Sequence, residues 1–312
     1  MKSIVIKIVT YNQEDVVGRA LDSVLRQKEW GLYRIIVSDD CSTDRTWDVL
    51  QTYHAQYPDL VYIYRNEHNL GMYEHFQKSD SYIPDCDLYS GLAGDDEYCD
   101  GYFEAIQKFI VDNNIDTTKP IGIFSDWKSK SPNGVETHYS NSLIKSEYSA
   151  WQLKIRSKIT CRSLFVSKIV KDRAKPTILN KGLRVAEANY DVQSVLNIEK
   201  TYYMPMTTSI YYTEIGVSRK LNLNNSDYLT TQNIEKWKSF IELYISDNRD
   251  LNYANYEITK SEYLLDPSWE KFFKIICHYH KGQLPKCKDS FNRSLHLYLG
   301  LIKYKFFFKK KA

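Results

Sequence analysis

Glycine is scarce, 12 residues in 312, and no GxGxxG and no GxxxxGK followed by Ser or Thr occurs. A phosphate-bearing ligand would therefore have to be held by side chains and a metal rather than by a glycine-rich loop. Cysteine is also thin: Cys41, Cys86, Cys99, Cys161, Cys277 and Cys287 are scattered with no CxxC. That excludes a dense disulfide framework and fits reduced thiols in a cytoplasm. His278 and His280 lie near two of these cysteines, but at no standard zinc spacing, and read as structural or surface residues. Charge of one sign is missing, since 42 Lys and Arg against 39 Asp and Glu leave a net +3, which gives no global field for nucleic acid. No apolar run reaches the roughly 18 residues of a spanning helix. The first run, SIVIKIV, is interrupted by Lys7 and is too short for a signal-peptide core.

What is present is ample material for a core, with 43% hydrophobic residues and 14% aromatic, including 26 tyrosines. Strand-like and helix-like patterns alternate over the first 125 or so residues. SIVIKIV (3–9) is β-branched, and residues 14–28 place Val17, Ala20, Leu21, Val24 and Leu25 on one helical stripe. YRIIVS (33–38), LVYIYR (60–65), DLYSGL (87–92) and IGIFSD (121–126) predict further strands. Between them fall a helix carrying Trp47 and Leu50, entered through Ser42, Thr43 or Asp44 and stopped near Pro58, a helix from Met72, and a helix over 102–113. The segment 127–146 reads as an irregular polar excursion, and 158–170 is ambiguous between strand and helix.

From about residue 225 the period becomes helical only, in IEKWKSFIELYI, SWEKFFKIICHYH and SFNRSLHLYLGLIKYKFFF. The expected organisation is an α/β domain over 1–221, with a mostly parallel sheet and helices on both faces, followed by a helical region over 222–312. In such sheets ligands bind beyond the carboxyl ends of the strands.

Two aspartate pairs stand at such ends, Asp39 with Asp40 and Asp95 with Asp96. Clustered carboxylates repel unless a cation or hydrogen-bond donors compensate. Asp95 and Asp96 point to a hard divalent ion, Mn2+ or Mg2+, completed by water and substrate phosphates, and so to a diphosphate ligand. The competing reading is that Asp95 or Asp100 caps the next helix. The first pair can accept from a nucleobase imide or ribose hydroxyls, with Tyr11 stacking on the base, or can simply open a helix.

Four stretches in order, VTYNQEDVVGRALDSVLRQ, IIVSDDCSTDRTWDVL, NEHNLGMYEHF and LAGDDEYCDGYFEAI, resemble the signatures of family 2 inverting glycosyltransferases, which have the GT-A fold and use nucleotide sugars. The likeness is close over about the first 110 residues and looser to about 219. It implies that Thr10, Tyr11 and Asn12 form the turn under the nucleobase. It also implies that Asp40 contacts uracil of a UDP-linked donor, that Asp95 lies on the ribose side and that Asp96 holds the metal. RVAEANYDVQSVLNIEK (184–200) matches the family's base segment, implying Glu187 as general base with Asp191 in reserve. YYTEIGVSR (211–219) is similar to the segment closing over the diphosphate, where Ser218 and Arg219 are candidate contacts.

Ala93, Ala188 and Ile215 depart from the common pattern and keep a binding-only relative in view. A metal-dependent nucleotidyltransferase is the rival enzyme class. A receiver-like module is disfavoured because its acidic pair follows the first strand. The resemblance further implies surface polysaccharide assembly, such as O-antigen or capsule, with a carbohydrate or lipid-linked oligosaccharide acceptor. The tail 295–312, ending in aromatics and Lys309, Lys310 and Lys311, reads either as a contact with the inner face of the cytoplasmic membrane or as a packed amphipathic helix with a solvated end.

Overall fold

The structure, a computed structural model, describes residues 1–156, 158–173, 192, 195–213 and 226–282. Glu187, Asp191, Ile215, Ser218, Arg219 and the tail 295–312 lie outside the described residues.

The strands are β1 (Ile4–Thr10), β2 (Leu32–Asp39), β3 (Val61–Arg65), β4 (Leu88–Ala93), β5 (Glu97–Tyr98), β6 (Ile121–Lys130), β7 (Glu136–Tyr139), β8 (Leu164–Ser167) and β9 (Lys200–Tyr212). The helices among them are α1 (Val17–Leu25), α2 (Thr46–Gln56), α3 (Met72–Asp80), α4 (Tyr102–Asp112), α5 (Ala150–Ile155) and α6 (Lys168–Asp172). All nine strands share one sheet in the order β3-β2-β1-β4-β8-β6-β9-β5, with β7 pairing off β6. From β3 to β4 every pairing is parallel, and each strand returns through a helix. Beyond β4 the sheet is mixed: β8 runs antiparallel to β4 and β6, β9 runs parallel to β6, and β5 pairs antiparallel with β9.

Alternation along β1 explains the layers. Ile4, Ile6 and Ile8 point into one core with Val17, Ala20, Leu21 and Val24 of α1, Leu50 of α2, and Phe103, Ile106 and Ile110 of α4. The α1 stripe is the one its 3–4 residue spacing predicts, and each of those side chains is fully buried. On the opposite face Lys7, only 2% exposed, donates to Asp80 at 2.5 Å and to the Phe76 carbonyl of α3. Lys171 of α6 grips the other oxygen of Asp80. Burial draws the Lys7 pKa down to about 8, against the pull of Asp80. The charge that interrupts the first apolar run is thus the anchor of the second helical layer.

Residues 127–146 are not an irregular excursion. β6 runs on to Lys130 and turns into β7, because Trp127 and Tyr139 pair across the hairpin with stacked rings 4.0 Å apart. The ambiguous stretch 158–170 divides into β8 and the start of α6. The long strand β9 had no counterpart in the predicted elements.

A separate compact unit holds the described residues from 226 onward. It contains α7 (Ser226–Leu243), α8 (Asn248–Leu265) and α9 (Trp269–Gly282). Tyr256, Tyr263, Phe272, Ile275 and Tyr279 form its core, and Asp247 caps α8 by accepting from the amides of Arg249 and Asp250. Gly282 lets α9 approach α8, since a Cβ there would stand 2.7 Å from the Tyr253 amide. His278 meets Asn252 at 3.3 Å, a structural contact. Among the described residues no helix is long and apolar enough to cross a membrane.

Candidate active site

Both aspartate pairs flank the carboxyl end of β1. Thr10 lies opposite Asp39 in the register and its carbonyl accepts from the Asp40 amide at 3.0 Å, while the Val9 carbonyl accepts from Gly94 at 3.0 Å. Gly94 permits this approach, because a Cβ would meet Gln13 Oε1 at 2.3 Å and Thr10 Cβ at 3.0 Å.

The turn after β1 is tied to the turn after β2. Asn12 adopts a left-handed φ of 51°, a conformation Asn tolerates, and its side-chain oxygen accepts from the Thr43 amide at 2.8 Å. Its own amide donates to Ser42 Oγ at 2.9 Å. Thr10 Oγ1 donates to Gln13 at 2.7 Å. Between these fixed neighbours Tyr11 is half-buried.

Asp39 has no exposed surface. Its carboxylate accepts from the Ser42 amide and hydroxyl and faces Arg65 Nε at 3.3 Å. Burial still raises its pKa, with Ser42 and Arg65 opposing. Asp40 is 3% exposed and organises the next loop, with Oδ1 accepting from Asn66 Nδ2 at 2.7 Å and the Leu70 amide at 2.9 Å, and Oδ2 from the Gly71 amide at 3.0 Å. Oδ2 keeps an acceptor direction beyond Gly71, since a carboxylate oxygen can take a second donor. Beneath it, buried His75 shares a 2.8 Å hydrogen bond with Ser38 Oγ.

The second pair has other company. Asp96 is 7% exposed, with Oδ1 accepting from the Tyr212 amide at 3.1 Å and Oδ2 from Arg162 Nη1 at 3.3 Å. Burial and the adjacent Asp95 carboxylate push its pKa up to about 7 despite Arg162. Burial raises Asp95 as well, against Arg162 and Arg19. Neither aspartate caps α4: that helix starts after Gly101 with no side-chain cap, and Asp100 pairs with Arg26 instead. The capping reading of this pair is thereby removed.

Two arginines and two tyrosines enclose the turn. The Arg19 guanidinium lies 3.6 Å from the Tyr212 ring and donates to the Asp95 carbonyl at 2.5 Å. The Arg162 guanidinium lies 3.7 Å from the Tyr211 ring. Tyr212 also donates to Glu97 at 2.6 Å. None of Arg19, Arg162 and Glu97 was a candidate in the sequence. Arg162 lies within the stretch of ambiguous period, which no local motif marks, and the tyrosines open the segment 211–219 on the unanticipated β9, where only Ser218 and Arg219 are singled out as candidate contacts.

Among the described residues no group of three or more His, Cys, Asp or Glu converges as a ready-made metal cage. The pair still fits a hard divalent ion of the kind that takes one or two carboxylates and completes its shell from water and phosphate. A buried carboxylate whose pKa is raised by burial and by the neighbouring Asp95, despite Arg162, is the observation in favour.

Residues 5–173, just over half of the chain, match the family described as "Glycosyl transferase family 2". The chain belongs to that family. This glycosyltransferase has the GT-A fold, and structural likeness agrees. Staphylococcus aureus TarS 1–349 in complex with UDP-GlcNAc superposes with a TM-score of 0.61 at 13% identity, over 88% of this chain and 79% of that one. The mannosyltransferase PcManGT of Pyrobaculum calidifontis, in complex with GDP-Man and Mn2+, gives 0.51 at 11% identity over 97% and 83%. Uncharacterized proteins of Mycobacterium bovis and Mycobacterium tuberculosis are 33% identical over 69 residues, which is 22% of this chain and only 20% of theirs.

Proposed function

We propose that this glycosyltransferase moves one sugar from a nucleotide diphosphate donor, UDP-linked, to an acceptor hydroxyl with inversion, in surface polysaccharide assembly on a carbohydrate or lipid-linked acceptor. The observation that carries the reading is the Asp95–Asp96 turn at the end of β4, where Asp96 is 7% exposed and burial, with Asp95 beside it, disfavours its charge despite Arg162. A divalent ion, Mn2+ or Mg2+, held by Asp96 supplies charge neutralisation to the leaving diphosphate when bound. Asp95 accepts from the ribose hydroxyls. Thr10, Tyr11 and Asn12 form the floor under the base, and the fixed turns on either side of half-buried Tyr11 support a stacking role for its ring. Asp40 offers the free acceptor direction of Oδ2 to an imide N–H. Glu187, with Asp191 in reserve, takes the proton from the attacking hydroxyl on the face opposite the leaving group, so that no covalent intermediate is needed. The transition state is oxocarbenium-like, and the fixed dipoles and charges of the turn serve to orient and stabilise it.

The division into a catalytic domain over 1–221 and a helical region over 222–312 is part of this proposal. The compactness of the described residues up to 213 and from 226 supports it. The tail 295–312 with its lysine-rich end is assigned to a membrane surface, not to the chemistry.

Transfer, or slow release of nucleotide diphosphate from a panel of nucleotide sugars with Mn2+, tests the reading. Glu187→Gln is expected to keep donor binding while transfer falls by about 10²–10⁴, and Asp191→Asn to be milder. The reverse ranking moves the base to Asp191, and absence of both binding and release with every donor overturns the function.

A further inference from the structure

Arg162 is the cation the aspartate turn already possesses, and it is held loosely. Its bond to Asp96 is a single contact at 3.3 Å, and its side chain is 32% exposed. The remaining guanidinium N–H groups meet no protein acceptor among the described residues. An arginine built to lock a carboxylate uses its fork bidentately and at short range. The Lys7–Asp80 pair shows the locked condition in this same molecule, at 2.5 Å with Lys7 2% exposed. Arg19 is fixed too, through its 2.5 Å bond to a carbonyl.

Arg162 rests instead on aromatic faces, 3.7 Å from the Tyr211 ring and 5.4 Å from that of Trp127. Ring faces attract a guanidinium without consuming its N–H donors. Those donors form the fork that matches phosphate oxygens.

We propose that Arg162 is an exchangeable counter-ion: it neutralises Asp96 while the donor site is empty, and passes to the donor's diphosphate when a divalent ion takes Asp96. The inference rests on the reading of Asp96 as the metal-side carboxylate. Arg162 holds Oδ2 while the Tyr212 amide holds Oδ1, and two cations at one carboxylate oxygen repel, so arginine and metal compete there. The diphosphate accepts the displaced arginine and thereby favours the exchange. Metal and nucleotide then bind with positive coupling, and by linkage each tightens the other to the same degree. The Tyr211 and Trp127 faces keep the guanidinium beside the turn in both states.

The test separates this role from a structural one by the sign of two effects. Mn2+ binding without nucleotide is measured by calorimetry for wild type, Arg162→Gln, Arg162→Lys and Asp96→Asn, followed by UDP and uridine binding in saturating Mn2+. In Arg162→Gln, Mn2+ alone should bind about 5–10-fold tighter, because its competitor is gone, while UDP binds about tenfold weaker and uridine is unchanged. Arg162→Lys should fall between on UDP. Thermal melts establish that each variant is folded. Weaker Mn2+ binding in folded Arg162→Gln or Arg162→Lys overturns the exchange, as does unchanged UDP affinity. Wild-type Mn2+ binding that survives Asp96→Asn in full removes the metal-side reading beneath it. Asp96-dependent Mn2+ binding that Arg162→Gln leaves unaltered removes the exchange alone.

Discussion

At the end of β2, Asp39 and Asp40 are surrounded by donors from their own chain: Ser42 and Arg65 for one, Asn66, Leu70 and Gly71 for the other. At the end of β4, Asp96 has one backbone amide and one arginine at 3.3 Å, and a second carboxylate beside it. Both turns read as an apolar strand followed by two aspartates. The first uses its charge to hold loops together, whereas the second keeps charge in reserve. A carboxylate satisfied by backbone and hydroxyl donors is a fastening, and one that is buried and undercompensated is a place for an incoming cation.

Substitutions can break this comparison. The largest effect is expected for Asp96→Asn, which should lower metal-dependent UDP affinity by more than about 100-fold while the protein stays folded; calorimetry in Mn2+ and in EDTA reads it. Asp39→Ala should do the converse. Removing the acceptor of the buried Ser42 donors costs about 3 kcal/mol, seen as a drop of about 6–12 °C in Tm, with UDP affinity of the folded protein little changed.

The third test is pH. Asp96 titrates near 3.8 unfolded and at about 7 folded, so the native state binds more protons between those values. Stability of the metal-free protein should therefore be greatest below pH 4 as far as this group is concerned, and decline as pH rises from about 4 to 7, by about 4 kcal/mol. Chemical denaturation at pH 5 and 8, with Asp96→Asn showing a flatter profile and Mn2+ restoring stability at pH 8, would sharpen the contrast. A profile in Asp96→Asn as steep as the wild type would end it. The smallest effect is expected for Asp40→Asn, where an amide NH2 must face a backbone N–H, at a cost of about 1–2 kcal/mol; denaturant midpoints measure it.

The parallel half of the sheet was legible because its signals are local. Val17, Ala20, Leu21 and Val24 repeat at helical spacing, and β1 to β4 are compact runs that end where turn residues begin. The two aspartate pairs were found by the same logic, since charge directly after a buried strand needs a reason. Lys7 interrupted a strand pattern without saying which helix it would meet. Trp127 and Tyr139 gave no signal because a hairpin with every β7 side chain exposed carries no hydrophobic alternation. The contacts of Arg162 and Tyr212 were invisible for a different reason. What defines them is proximity to Asp96, across 66 and 116 positions of chain, and no spacing rule spans such separations.

That long reach has a consequence for assembly in time. Strand β5 pairs with β9, Tyr98 opposite Ser209, and the Asp96 contact to Tyr212 closes over a similar span of 116 positions. Closing so long a loop costs more chain entropy than closing the successive turns of β1 to β4. On a chain emerging from the ribosome, the first aspartate turn can be completed once residue 71 is available, whereas the second lacks its enclosure until residue 212 has been synthesised. The nascent protein therefore presents a finished scaffold before its second aspartate turn is enclosed.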